Sequence, residues 1–99
     1  MARFDVMPRR HGQLLVVDCQ ADVLRHLPTR FVVPLLDPAE IPAPVTRLHP
    51  LVDVDGRRWV LATHLAAAVP LRELAAPVAS LSAEQDRIVA ALDFLLSGF

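Results

Sequence analysis

Hydrophobic and polar positions change period several times along this 99-residue chain, and each change marks an element. Near the N-terminus Phe4 and Val6 alternate with Arg3 and Asp5, the period-two signature of a short strand. Pro8 and Gly12 bracket a basic loop, Arg9-Arg10-His11, and residues 14–19 come next as a second strand. Its run Leu14-Leu15-Val16-Val17 is continuous rather than alternating, which predicts a central strand covered on both faces. A short polar connection carrying Asp22, Val23 and Leu24 is closed by Pro28. Residues 30–36 read as a third strand with Pro34 inside it. Proline has no N–H to give to a ladder, so this strand is expected at an edge or with a bulge at that point. Pro38, Pro42 and Pro44 then predict a rigid surface excursion with no regular element.

The sharpest local signal comes next. Asp55-Gly56 lies between two apolar-polar runs, and a two-residue Asp-Gly connection is the favoured type I′ hairpin turn. Counting back from it pairs Asp53 with Arg58 and Val52 with Trp59, so charged and apolar groups each find a partner. Residues 66–68 are ambiguous between helix and strand. Residues 69–74, interrupted by Pro70, read as one more edge strand, and Pro77 separates it from the C-terminal segment.

The pattern ends on a helix over residues 81–99. Ser82 and Gln85 have the spacing of a capping box, and Glu84 and Asp86 suit the positive end of the helix dipole. Ile88, Leu92, Leu95 and Phe99 form one face, while Val89, Phe94 and Leu96 occupy others. Gly98 is placed to stop the helix. A helix apolar nearly all round must be covered nearly all round. Domains this small bury only roughly 60–65% of their unfolded surface. A second copy of the chain is therefore expected against this helix, with Ile88, Leu92, Leu95 and Leu96 at the interface. The sum is one α+β domain over residues 1–99: a strongly bent, mostly antiparallel sheet of five or six short strands, because the connections are too short for crossover helices, and then one helix.

Composition narrows the function. The chain is 54% hydrophobic with a formal net charge of −1, and all its basic residues are arginine. Arg9-Arg10 and Arg57-Arg58 are only pairs, so no basic stripe attracts nucleic acid. Cys19 is the sole cysteine, which forbids an internal disulfide and points to a reduced cytosol. No apolar run reaches the roughly 18 residues of a membrane span, and the first ten residues lack the core of a signal peptide. A soluble, cytoplasmic protein is expected.

No catalytic or metal constellation stands out. His11, His26, His49 and His64 are scattered, with no pair at ligand spacing on one element, so no metal is expected. Cys19 ends a buried strand, where a free thiol behaves as a small hydrophobe. Asp18 and Asp22 flank it as turn and capping groups rather than an acid–base pair. Three glycines in the whole chain leave no phosphate-cradling loop. A binding protein, not an enzyme, is the reading that remains, with Phe99 as an aromatic anchor just past the helix end.

Several collinear runs together resemble the CcdB family of toxins: Phe4 in the first strand, Val16-Val17-Asp18 with Gln20 and Asp22, Arg30-Phe31-Val32-Val33-Pro34-Leu35, Trp59 after the hairpin turn, Val69-Pro70, Leu81-Ser82, and the end at Gly98 plus one bulky apolar residue. The resemblance spans essentially the whole chain. It implies a homodimer whose subunits carry an SH3-barrel-like curved sheet, a small accessory sheet and a long C-terminal helix. It also implies a toxin that binds the A subunit of DNA gyrase and traps it on cleaved DNA, neutralised by a CcdA-like antitoxin. No cofactor is implied, nor any direct nucleic-acid specificity.

The family's gyrase contacts fall on Phe4, Val23, Leu24, Asp93, Ser97, Gly98 and Phe99. Its antitoxin contacts fall on the loops that hold Arg9, Arg10 and Arg47, the last within residues 38–47. One position departs, because Ser97 stands where the family carries a stacking tryptophan. Loss of such an anchor costs at least about 2 kcal/mol, roughly thirtyfold in affinity. A detoxified antitoxin-binding protein is thus one alternative. A MazF-like endoribonuclease on the same barrel is another, with Arg57, Arg58 and His64 as its candidate groups.

Overall fold

The computed structural model describes residues 1–98, so Phe99, the proposed anchor, lies outside the described residues. Among these residues seven strands and one α-helix are present: β1 (Asp5–Pro8), β2 (Leu15–Asp18), β3 (Thr29–Leu36), β4 (Leu51–Val54), β5 (Arg57–Leu61), β6 (Ala67–Pro70), β7 (Ala79–Ser80) and α1 (Gln85–Ser97). The sheet runs β4-β5-β3-β2-β1-β7, with β6 also paired to β3, and every pairing is antiparallel. It curls into a nearly closed, SH3-like barrel with the helix at its C-terminal end. The accessory part of the sheet is β6 laid along the first half of β3.

The continuous apolar run of the second strand has the predicted cause. Val17 belongs to the core cluster that also holds Val6, Val33, Leu35, Leu61 and Ile88. Val16 belongs to a second cluster, with Met7, Val32, Val69 and Leu74. The central strands thus alternate between two cores instead of between core and water.

Pro34 is neither on an edge strand nor at a bulge, which corrects the expectation. β3 is central: on one side it pairs with β2 along residues 32–35, and on the other with β6 through Val32 and then with β5 from Leu35. Cys19 N–H donates to the Phe31 carbonyl, which makes Val16 and Pro34 a pair that does not exchange hydrogen bonds. The proline nitrogen therefore faces the gap where β6 gives way to β5, and its carbonyl there accepts Ala62 N–H. The reciprocal bond that proline cannot give is replaced, because the Ala62 carbonyl accepts Leu65 N–H instead.

The hairpin forms as read, with Asp53 opposite Arg58 and Val52 opposite Trp59. Asp55 and Gly56 have φ of +52° and +80°, the two left-handed positions of a type I′ turn. The proline excursion opens with a 3-10 turn, Pro38–Glu40, capped by the Asp37 carboxylate, which accepts Ala39 N–H at 2.9 Å. That N–H and the Arg57 guanidinium hold the Asp37 carboxyl below its ordinary pKa.

Two expectations at the ends fail. The first strand begins at Asp5, because Phe4 has φ +71° and breaks the extended run. The capping box does not form: residues 82–84 are a 3-10 turn, α1 starts at Gln85 with no side-chain cap, and Ser82 N–H turns back to the Ser80 hydroxyl. Ser80 belongs to β7, a two-residue strand beside β1 with no apolar pattern of its own to announce it.

Candidate functional site

The proposed contact residues collect at two places in the fold. The first is the corner after β2. Asp18 is buried there, its carboxylate 3.5 Å from the Arg30 guanidinium and accepting Gln20 N–H at 3.0 Å. Burial raises its pKa, against the lowering effects of the Gln20 N–H and Arg30. Gln20 spans the corner, its amide oxygen accepting Phe31 N–H and its amide nitrogen donating to the Leu24 carbonyl. This frame supports a 3-10 turn, Asp22–Leu24, that buries none of its residues. Val23 is 80% exposed and Leu24 42%. Two apolar side chains held out to solvent on a braced turn are a ready contact surface.

Phe4 lies beneath this corner rather than on it. Its ring is 3% exposed and belongs to the barrel core with Leu81 and Ile88. The chain from Arg3 to Phe4 is clamped to the corner: Arg3 N–H donates to the Asp22 carboxylate, Arg3 Nε to the Cys19 carbonyl, and Phe4 N–H to the Asp18 carbonyl. The Arg3 guanidinium sits 4.6 Å from the Phe4 ring centroid and covers it. This corrects the sequence reading, for Phe4 props the surface from beneath while the half-buried Arg3 lies over it. A cationic residue followed by an aromatic one at the edge of a strand was the only available signal.

The second place is the end of α1. Ser97 Oγ donates to the Asp93 carbonyl at 2.7 Å, one turn back. Gly98 ends the helix with φ +77°, its N–H donating to the Phe94 carbonyl. This is the left-handed glycine stop that the sequence indicated. Leu96 is 78% exposed and Leu95 39%, whereas Leu92 is half-buried. Ile88 is fully buried inside its own barrel, which corrects its assignment to an interface. The exposed apolar stripe thus begins only in the last half of the helix. Among the described residues no hydrogen bond or ion pair joins this helix end to the Asp22–Leu24 turn.

The arginines proposed for the antitoxin occupy other edges. Arg9 pairs with Glu73 at 3.0 Å and Arg10 N–H donates to the Glu73 carbonyl, so this loop is tied to the turn after β6. Arg47 lies over the Phe94 ring at 4.6 Å from its centroid. Beside it runs a groove of about 440 Å³ lined by Pro38, Ile41, Pro42, Pro44, His49 and Arg87. Arg87 joins α1 to the free side of β4 by donating to the Leu51 carbonyl, and it pairs with Glu84.

The sequence matches the CcdB protein family over residues 3–98. The chain belongs to this family. A search of curated proteins found no match. Membership makes the chain a toxin of the CcdB type, from a toxin–antitoxin pair.

Within this CcdB-family fold, the groups an endoribonuclease would need are already engaged. Arg57 pairs with Asp37 and stacks 3.9 Å from the Trp59 ring centroid, Arg58 pairs with Asp53, and the His64 ring is hydrogen-bonded to His49. Burial and the adjoining Asp18 push the Cys19 thiol up to about 12, so it carries no thiolate at neutral pH. No group of three or more His, Cys, Asp or Glu side chains able to hold a metal ion occurs among the described residues. No helix among them is long and apolar enough to cross a membrane.

Proposed function

We propose that this chain acts as a homodimeric toxin that binds the A subunit of DNA gyrase and traps the enzyme on cleaved DNA. A CcdA-like antitoxin would hold it inactive. The observation that carries this reading is the end of α1, where Asp93 and Ser97 stay exposed on a helix that Gly98 terminates, while the exposed Leu95 and Leu96 are left for the second subunit. Side chains at the exposed end of a stiff element supply a contact surface at little ordering cost. Val23 and Leu24 on their braced turn add a second such surface, Arg3 beside them a cation, and Asp93 an acid. The toxin makes no covalent change in this reading; it stabilises one state of its target.

Antitoxin binding is assigned to the faces around Arg9, Arg10 and Arg47. The decisive experiment is supercoiling by gyrase from the source organism, with and without the purified protein. Inhibition accompanied by trapped cleaved DNA is the expected result. No effect at micromolar protein would overturn the gyrase assignment while leaving the fold untouched.

A second reading has one observation in its favour. The Ser97 hydroxyl is satisfied by its own helix and presents no aromatic face. A family member that sequesters an antitoxin without poisoning gyrase would look like this. Binding of the antitoxin without inhibition of supercoiling would support it.

A further inference from the structure

His49 and His64 are far apart in sequence and sit on different elements, yet their rings meet. His49 Nε2 lies 2.8 Å from His64 Nδ1, with the rings edge to face. The other nitrogen of His49 is also engaged, for Val45 N–H lies 3.0 Å from His49 Nδ1. A backbone N–H can only donate, so His49 Nδ1 must be bare. Its proton is then on Nε2, and His64 Nδ1 must accept it. One arrangement of two ring protons satisfies the chain, and each ring is neutral in it.

A third proton from solution has no place here. If His49 takes it at Nδ1, the Val45 bond is lost. If His64 takes it at Nδ1, His49 must give up its Nε2 proton and carry one at Nδ1, which again expels Val45 N–H. Protonating either ring by these routes breaks the same bond.

The surroundings offer no compensating charge. Among the described residues neither ring has a carboxylate partner within ion-pair distance. From α1, the groove beside His49 receives Arg87, whose acid is Glu84; from its own loop the nearest charge is Arg47, turned over Phe94. The prolines, Ile41, Thr46, Leu51 and Val60 that complete the groove carry none. Burial and the neighbouring His64 both hold the His49 pKa below its ordinary value.

The bond at stake closes a turn. Leu48 and His49 N–H groups donate back to the Val45 carbonyl, and the Val45 N–H returns to the His49 ring, so residues 45–49 form one closed loop with Arg47 inside it. His64 belongs to a 3-10 turn, Thr63–Leu65, packed against α1.

We infer that the His49–His64 pair is a proton-operated latch: at neutral pH it holds residues 45–49, and Arg47 over Phe94, in the closed turn, and on acidification it releases them. This inference is independent of the gyrase assignment.

The test is nuclear magnetic resonance on the full ¹⁵N-labelled chain, following the ring nitrogens and the Val45 amide between about pH 7.5 and about pH 5. At the upper pH the His49 ring should carry its proton on Nε2. The exchange protection of the Val45 amide, corrected for the intrinsic pH effect, should fall at least about tenfold by the lower pH. The Leu61 amide, which donates to the Pro50 carbonyl, should change by less than about twofold. In His49→Asn the side-chain oxygen stands in for Nδ1 and does not titrate, so Val45 protection should become independent of pH. A His49 proton on Nδ1 at the upper pH, unchanged Val45 protection in the parent chain, or an equal fall in His49→Asn would each overturn the latch. The ring-nitrogen and Val45 results in the parent chain together decide the question even if the variant fails to fold.

Discussion

The Arg47 guanidinium stacks on the Phe94 ring, joining the loop assigned to the antitoxin to the helix whose end is assigned to gyrase. Phe94 adjoins Asp93, and its carbonyl receives the Gly98 N–H that stops the helix. The two proposed surfaces therefore share a joint. Arg47→Ala should lower stability by about 0.5–1 kcal/mol, the usual worth of an exposed cation–π contact. It should also weaken both partners. Chemical denaturation and calorimetric titration against each partner would show this; loss of antitoxin binding alone would mean that the stacking transmits nothing to the helix end.

Phe4 should behave as a core residue. Phe4→Ala is expected to cost about 3–5 kcal/mol, the range for emptying a buried aromatic site. Target binding should recover wherever low temperature or added osmolyte keeps the variant folded. A fully folded Phe4→Ala that has lost gyrase binding would return the residue to the contact surface.

Gly98 carries its φ of +77° for a conformational reason, since a Cβ built there meets nothing within 4 Å. Gly98→Ala should destabilise by about 1–2 kcal/mol through backbone strain alone. Amide exchange should quicken at the end of α1 and stay unchanged in the barrel.

The buried pair of Asp18 and Arg30 sets a pH dependence whose sign can be worked out. The folded pKa of Asp18 is raised, chiefly by burial, so its contribution to stability is full below the unfolded value near 3.8 and is lost as the pH rises through the folded value. Arg30→Met removes the compensating cation and should cost about 3–5 kcal/mol at neutral pH. The difference between variant and parent should shrink as the medium is acidified. Denaturant midpoints of the two proteins, compared across the acid range, give the answer directly.

Ser97→Trp restores the aromatic that the family carries. Its stability should stay within about 0.5 kcal/mol of the parent, because only an exposed hydroxyl bond back to Asp93 is lost. Inhibition of supercoiling should strengthen at least about thirtyfold. A variant that folds and binds antitoxin but leaves supercoiling untouched would show that the gyrase surface is missing beyond this one position.

The sequence by itself determined the elements whose signals are local. Asp55-Gly56 dictated its turn because only left-handed positions close a two-residue hairpin along twisted strands, and register came from counting. The run from Leu14 announced a strand covered on both sides, although the strand itself starts at Leu15 and Leu14 stays exposed, and Gly98 announced a helix stop. Tertiary structure decided whatever depended on distant partners. Pro34 fits a central strand because β6 gives way to β5 where its nitrogen points, and Ile88 is spent inside its own barrel although it shares a face with Leu95. Phe4 was drawn under a corner by hydrogen bonds from the Arg3–Phe4 backbone to Asp22 and Asp18. His49 and His64 met only because the excursion that carries one folds against the turn that carries the other. Such contacts leave no periodicity in the chain: each joins groups from separate elements, and only the closing of the barrel brings them within reach.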